Sequence, residues 1–222
     1  MNNRKIFIVY IGKLFSFLFT YKIYNLLHSI LITFHSGWIS RTFKSYGDNS
    51  YIKLGGYFVG TKNISIGNNC YIGSRAAITS WGGKNNQLKI IIKNNVCIGD
   101  DCHITAFNQI IINDNVLLGK KVTITDNSHG QSKLKDLNEA PLTRPIYSSG
   151  AVIIEEGVWI GDKVTILPNV NIGKFSVIGA NSVVISNIPD YCVAVGAPAV
   201  IVRRYNEKSG EWVKCRNREV AK

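Results

Sequence analysis

From Ile154 onward every sixth residue is aliphatic: Ile160, Ile166, Ile172, Ile178 and Val184 follow in phase. Four positions after each aliphatic comes a small or short-branched residue, giving Val158, Val164, Val170, Ser176 and Ser182. An amphipathic helix needs apolar residues three and four apart, and a half-buried strand alternates by two. A period of six belongs instead to a repeat architecture. The rhythm continues upstream with pauses. Ile66, Ile72 and Ile78 form one triplet, Ile92, Ile98 and Ile104 another, and Ile112, Leu118 and Ile124 a third. Their small partners are Cys70 and Ala76, then Val96 and Cys102, then Val116, Val122 and Ser128.

Three hexads close one turn of a three-sided prism, so about five coils are readable between Ile64 and Val184, with a partial turn before them around Ile52 to Phe58. Each aliphatic points inward and stacks on its equivalents one strand spacing, ~4.8 Å, above and below. The small residue faces inward near a corner, where little room is left. Gly67-Asn68-Asn69 and Asn113-Asp114-Asn115 supply turns with unusual backbone angles. Cys70 and Cys102 are thereby core residues; Cys97 falls outside the slots and has no assigned role. An odd cysteine count of 5 without CxxC spacing argues against a disulfide framework and a zinc ribbon. Reduced thiols of a cytoplasmic protein are expected.

The triplets, Val158-Trp159-Ile160-Gly161, Ile178-Gly179-Ala180-Asn181-Ser182-Val183-Val184 and Val195-Gly196-Ala197-Pro198-Ala199 resemble the hexapeptide-repeat acyltransferases. The likeness covers roughly residues 50 to 205 and is nearest to maltose, galactoside and surface-polysaccharide O-acetyltransferases. It implies an all-β fold, a left-handed parallel β-helix against the usual crossover hand, and a homotrimer with active sites between neighbouring prisms. It also implies acetyl-CoA as co-substrate, no metal, and a sugar or glycan hydroxyl as acceptor.

The period breaks after Ile124, at Thr125-Asp126-Asn127-Ser128-His129-Gly130, and a polar excursion over 129–149 follows without evident secondary structure. Loops of that length are uncommon unless functional or disordered. Acetyl transfer needs a base for the acceptor's proton, a task suited to histidine, whose unperturbed pKa is ~6.5. His129 stands where the resemblance puts the general base. Many relatives read Asp-His here, whereas Asn127 follows Asp126; others keep the histidine two positions later, as this chain does. Asp126 is expected to orient the imidazole or bind acceptor, or else to be a buried turn carboxylate. His103, one coil earlier, is read as an acceptor contact or an exposed strand histidine. Asn127, Arg144 and Tyr147 complete the expected acceptor side. For the coenzyme the resemblance points to Trp159, Ala180, Ala197, Pro198, Arg203 and Arg204, although packing at a subunit contact would also explain Trp159. Arginine suits phosphate because its planar fork donates paired hydrogen bonds. The family's arginine nearer the turn is Val200 here.

The first 48 residues are apolar and aromatic, interrupted by Lys13, Lys22, Asn25 and His28. They are expected to be helical and to pack on protein or lie on the inner face of a membrane. No signal-peptide cleavage site is visible. Residues 206–222 read as a basic tail, and the formal net charge is +12. That charge favours anions without choosing among them; no nucleic-acid motif accompanies it. Three readings compete with O-acetylation. One is N-acetylation of an amino sugar. A carbonic anhydrase of the gamma type would need three metal-binding histidines, and the repeat region holds only His103 and His129. A trimeric scaffold without catalysis is the third.

Overall fold

The computed structural model describes residues 3–82, 87–131 and 133–219. Its body is a left-handed parallel β-helix, built of short strands that fall into three sheets. The first face carries Ile64–Ile66, Ile90–Ile92, Ile110–Ile112, Val152–Ile154 and Asn171–Ile172. Strands such as Tyr71–Ile72, Cys97–Ile98, Leu117–Leu118 and Trp159–Ile160 build the second. Tyr57–Val59, Ala77–Ser80, His103–Ala106, Thr123–Thr125, Thr165–Ile166 and Val183–Val184 build the third.

Register follows the isoleucine period. Ile72 pairs with Ile98, which pairs with Leu118, and Ile78 with Ile104, then Ile124. These side chains are fully buried, as are the small residues Cys70, Ala76, Val96, Cys102 and Val122. Stacking like on like is what lets a narrow prism fill without voids. At one corner Asn69, Asn95 and Asn115 all adopt positive φ, and their side chains form a ladder with Nδ2–Oδ1 distances of 3.1 Å at both steps. Asparagine tolerates this backbone region and pairs with its own kind above and below.

Four expectations change. The first coil is complete, beginning at Ser45–Tyr46 rather than as a partial turn, because Ser45 and Tyr46 pair with Ser65 and Ile66. The segment read as a basic tail is instead part of an antiparallel hairpin, Val200–Asn206 with Glu211–Glu219, which extends the second face. The excursion also has structure: Ser128–His129 pairs antiparallel with Ile146–Tyr147, and Leu134–Leu137 forms one helical turn. Finally, Ser128 is exposed. Carrying the period one step beyond Ile124 put it inside, but the chain leaves the prism at Asp126, which is buried in its place.

Two helices precede the prism, α1 (Asn3–Leu18) and α2 (Tyr21–Ser40), with Thr20 capping the second through Ile23 N–H. They meet at 77°, and among the described residues no single helix is long and apolar enough to cross a membrane.

Candidate active site

The third face and the excursion enclose a cavity of about 580 Å3. Strand residues Tyr57, Ala77, Thr79, His103 and Thr105 form its floor, Trp81 one end, and Asn127, His129, Leu142, Arg144 and Ile146 its other wall. His103 reaches it because side chains alternate along a strand: Ile104 points inward and His103 outward. His129 reaches it through the small hairpin, where it pairs with Ile146 on the same face. Neither imidazole is hydrogen-bonded to a described residue, so both ring edges are available to a ligand.

Asp126 holds the excursion's root. Fully buried, it accepts the backbone N–H groups of Phe107 at 2.7 Å and Asn108 at 2.8 Å. Its Oδ1 also takes Asn127 Nδ2 at 3.1 Å, and the same amide reaches Thr105 O at 3.0 Å. Neither oxygen bonds an imidazole. Of the roles open to Asp126 in the sequence, the structure supplies that of the turn carboxylate, acting on the site through Asn127. Asn127 thus has both amide hydrogens engaged and turns toward the cavity as an acceptor. Arg144 is clamped by Glu139 O, which receives Nε at 3.1 Å and Nη2 at 3.0 Å. Tyr147 is a correction: it pairs with Ser128, on the hairpin face opposite to His129, and Ile146 lines the cavity instead.

Sequence reasoning passed over Tyr57, Thr79, Trp81 and Thr105. Trp81 donates its indole N–H to Thr105 Oγ1 at 3.0 Å, leaving the Thr105 hydroxyl proton free for a ligand. Thr79 is 3% exposed and its hydroxyl has no partner among the described residues, an unusual state for a buried polar group. The signal was present: Thr79, Thr105 and Thr125 each follow the third-face isoleucine of successive coils.

None of the residues expected to hold coenzyme lines this cavity. Trp159 lies exposed on the second face. Ala180, Ala197 and Pro198 are exposed around the last coils, where Gly196 O accepts Val183 N–H and Val183 O accepts Ala199 N–H. Gly161 sits so close to this region that a Cβ there would lie 2.6 Å from Ala180 N. Arg203 is exposed, pairing in the hairpin with Val193 and Lys214. Arg204 is half-buried, with Nη1 3.5 Å from Cys192 Sγ. Among the described residues no three His, Cys, Asp or Glu side chains converge as a metal site.

Two family models match: bacterial transferase hexapeptide (six repeats) over residues 151–186, and the hexapeptide repeat of succinyl-transferase over 63–83. The chain is 34% identical over 172 residues to WbbJ of Escherichia coli K12, provisionally named a lipopolysaccharide biosynthesis O-acetyl transferase, covering 76% of this chain and 86% of that protein. The chain belongs to the hexapeptide-repeat acyltransferase family. A galactoside O-acetyltransferase of Escherichia coli K12 is 31% identical, over 78% of this chain and 70% of its own. The crystal structure of a maltose O-acetyltransferase from Clostridium difficile 630 matches with TM-score 0.50 at 27% identity, covering 77% of this chain and 75% of its own. The N-acyltransferase AntD from Bacillus cereus, solved with dTDP and 3-hydroxybutyryl-CoA, gives TM-score 0.64 at 20% identity over 79% and 90% of the two chains, a likeness of fold.

Proposed function

We propose that this chain moves an acetyl group from acetyl-CoA to a hydroxyl of a saccharide held in the cavity beneath the excursion, with His129 as general base. The observation that carries the reading is the unpartnered His129 imidazole on the wall of a 580 Å3 cavity that also holds His103, Asn127, Arg144 and Trp81. Indole offers an apolar face to a sugar ring, and the surrounding amide, hydroxyl and guanidinium groups suit a polyhydroxylated ligand. The relatives named as O-acetyltransferases support a hydroxyl acceptor.

In this mechanism the imidazole takes the acceptor's proton as its oxygen bonds to the thioester carbonyl carbon. The C–S bond then breaks, and the imidazolium returns the proton to the departing thiolate, giving CoA and the acetyl ester. Arg203, the Gly196–Ala199 turn and Ala180 would hold the coenzyme. These residues do not share the cavity with His129 in one chain, so a neighbouring prism is proposed to bring them to it, as in a homotrimer.

Release of CoA thiol from acetyl-CoA, measured against sugars, nucleotide sugars and amino sugars, tests the acceptor class. His129→Ala should lower turnover by ~10²–10⁴ with an unchanged melting temperature, since the ring has no partner to lose. Wild-type turnover in that variant would remove His129 from the mechanism. Transfer to amino sugars alone would make the chain an N-acetyltransferase.

A further inference from the structure

Helix α2 presents the wrong face to solvent for a helix docked on a soluble domain. Its covered side carries His28, Ile32, His35, Ser36 and Ile39. Ser36, 3% exposed, accepts Ile52 N–H at 2.9 Å, and His35 Nδ1 lies 3.2 Å from Ile52 O. The opposite side carries Leu27, Ile30, Leu31, Phe34 and Trp38, all exposed, the last two at 71% and 73%. A surface helix ordinarily buries its apolar stripe against the domain and shows its polar residues to water. Here mostly polar residues make the dock and the apolar stripe is bare.

Helix α1 adds more exposed apolar surface. Besides Arg4, Lys5 and Lys13 it is largely apolar, and Phe7, Ile8, Tyr10, Leu14, Phe15 and Phe17 are all exposed. Large apolar side chains exposed in this number mark a place meant to be covered, and charge says by what. No Asp or Glu precedes Asp48, whereas Arg4, Lys5, Lys13, Lys22, Arg41 and Lys44 lie in or beside the helices. A second copy would bring the same cations against these and adds another net charge of +12. An anionic lipid surface brings the complement, and long basic side chains let their heads reach phosphate while their stems stay apolar. Among the described residues neither helix alone suffices to cross a bilayer; the two together are long and apolar enough, and their 77° bend lets the pair lie in the interface rather than run straight through.

We propose that α1 and α2 form a bent anchor embedded in an anionic leaflet, with the Leu27–Phe34–Trp38 side of α2 and most of α1 in the acyl boundary. The anchor joins the first coil at Ile52, and Tyr57 of that coil lines the cavity. Chemistry in the cavity would therefore occur close to the lipid surface. That consequence rests on the acetyl-transfer reading; the anchoring does not.

The test uses the full chain floated with vesicles of phosphatidylcholine, alone or mixed with phosphatidylglycerol. The wild type should float with the mixed vesicles, with about tenfold or greater preference over neutral ones. The triple variant Leu31→Gln, Phe34→Gln, Trp38→Gln alters only outward side chains and should lose about tenfold or more of the binding, with unchanged circular dichroism and melting. Wild-type protein that floats with neither vesicle overturns the proposal, as does a triple variant that floats like wild type. So does a wild type that ignores vesicles but drops in assembled mass when those side chains are replaced, which would assign the face to another copy. Flotation needs no catalysis, so failure of the acetyl-transfer assay leaves this result readable.

Discussion

Replacing Asp126 with Asn separates a carboxylate that builds the site from one that takes part in the reaction. Its two oxygens serve two backbone donors, Phe107 N–H and Asn108 N–H, at 2.7 and 2.8 Å in a fully buried setting. An amide offers one oxygen. Its NH2 must then face one of those N–H groups, leaving a buried donor unmet at about 1–3 kcal/mol, while the surviving bond loses its charge-assisted share. A total near 2–4 kcal/mol follows, which for a chain of this length lowers the melting midpoint by roughly 4–16 °C. Circular dichroism melts at one fixed protein concentration measure it, since assembly makes the midpoint concentration-dependent. Turnover well below the midpoint should fall by less than about tenfold, because Asp126 reaches the cavity only through Asn127. A carboxylate that oriented the imidazole, as in a hydrolase triad, would cost ~10⁴ in turnover on the same change. An unchanged midpoint with a hundredfold or greater loss of turnover would refute the structural assignment.

Thr79→Val removes a buried hydroxyl that has no partner. The midpoint should stay level or rise, while the acceptor's KM rises about 2–12-fold if the hydroxyl binds it; an unchanged KM with a raised midpoint would take Thr79 out of acceptor binding. Gly161→Ala drives a Cβ to 2.6 Å from the backbone nitrogen of Ala180, and the coils must part, costing about 1–3 kcal/mol in urea melts. Burial pushes the Cys102 thiol up to about 11. The unfolded thiol ionises near ~8.5, so the folded state's advantage is whole below that pH and is lost as pH rises from there through about 11. Urea midpoints of wild type should decline over that window, and Cys102→Ala should flatten part of the decline; identical slopes would contradict the burial.

The prism was legible because its packing demand repeats. Ile72, Ile98 and Leu118 stack on the same axis, so any of the three announces the others. The same logic misled at Ser128, where the period was continued past the last residue that obeys it. Tyr147 was misassigned for a different reason. Its side of the hairpin depends on antiparallel register across the excursion, and no local spacing encodes that register. Thr79 and Thr105 were readable in principle, as the residue after the third-face isoleucine in neighbouring coils. A period read for inward positions alone leaves out the residues that alternate with them. On α2 the polar and apolar faces follow from helical spacing, but only contacts such as those of His35 and Ser36 with Ile52 reveal which face meets the prism.

A repeat that commits inward positions to Ile, Val, Cys or Ala leaves little there for chemistry. Reactive groups are confined to outward strand positions, such as His103 and Thr105, and to places where the chain leaves the prism. Both departures nearest the cavity follow third-face strands: one begins at Trp81, after Ala77–Ser80, the other at Asp126, after Thr123–Thr125. They come off the same corner, separated by the single coil of His103–Ala106. Trp81 reaches up to Thr105, and Asn127 reaches down to the same residue's carbonyl oxygen. Thr105 thereby ties the two excursions together, and the cavity between them is bounded by the coil both leave. A substitution at Thr105 should therefore loosen the Trp81 wall alone, because Asn127 is held by the backbone carbonyl oxygen that any residue there would keep.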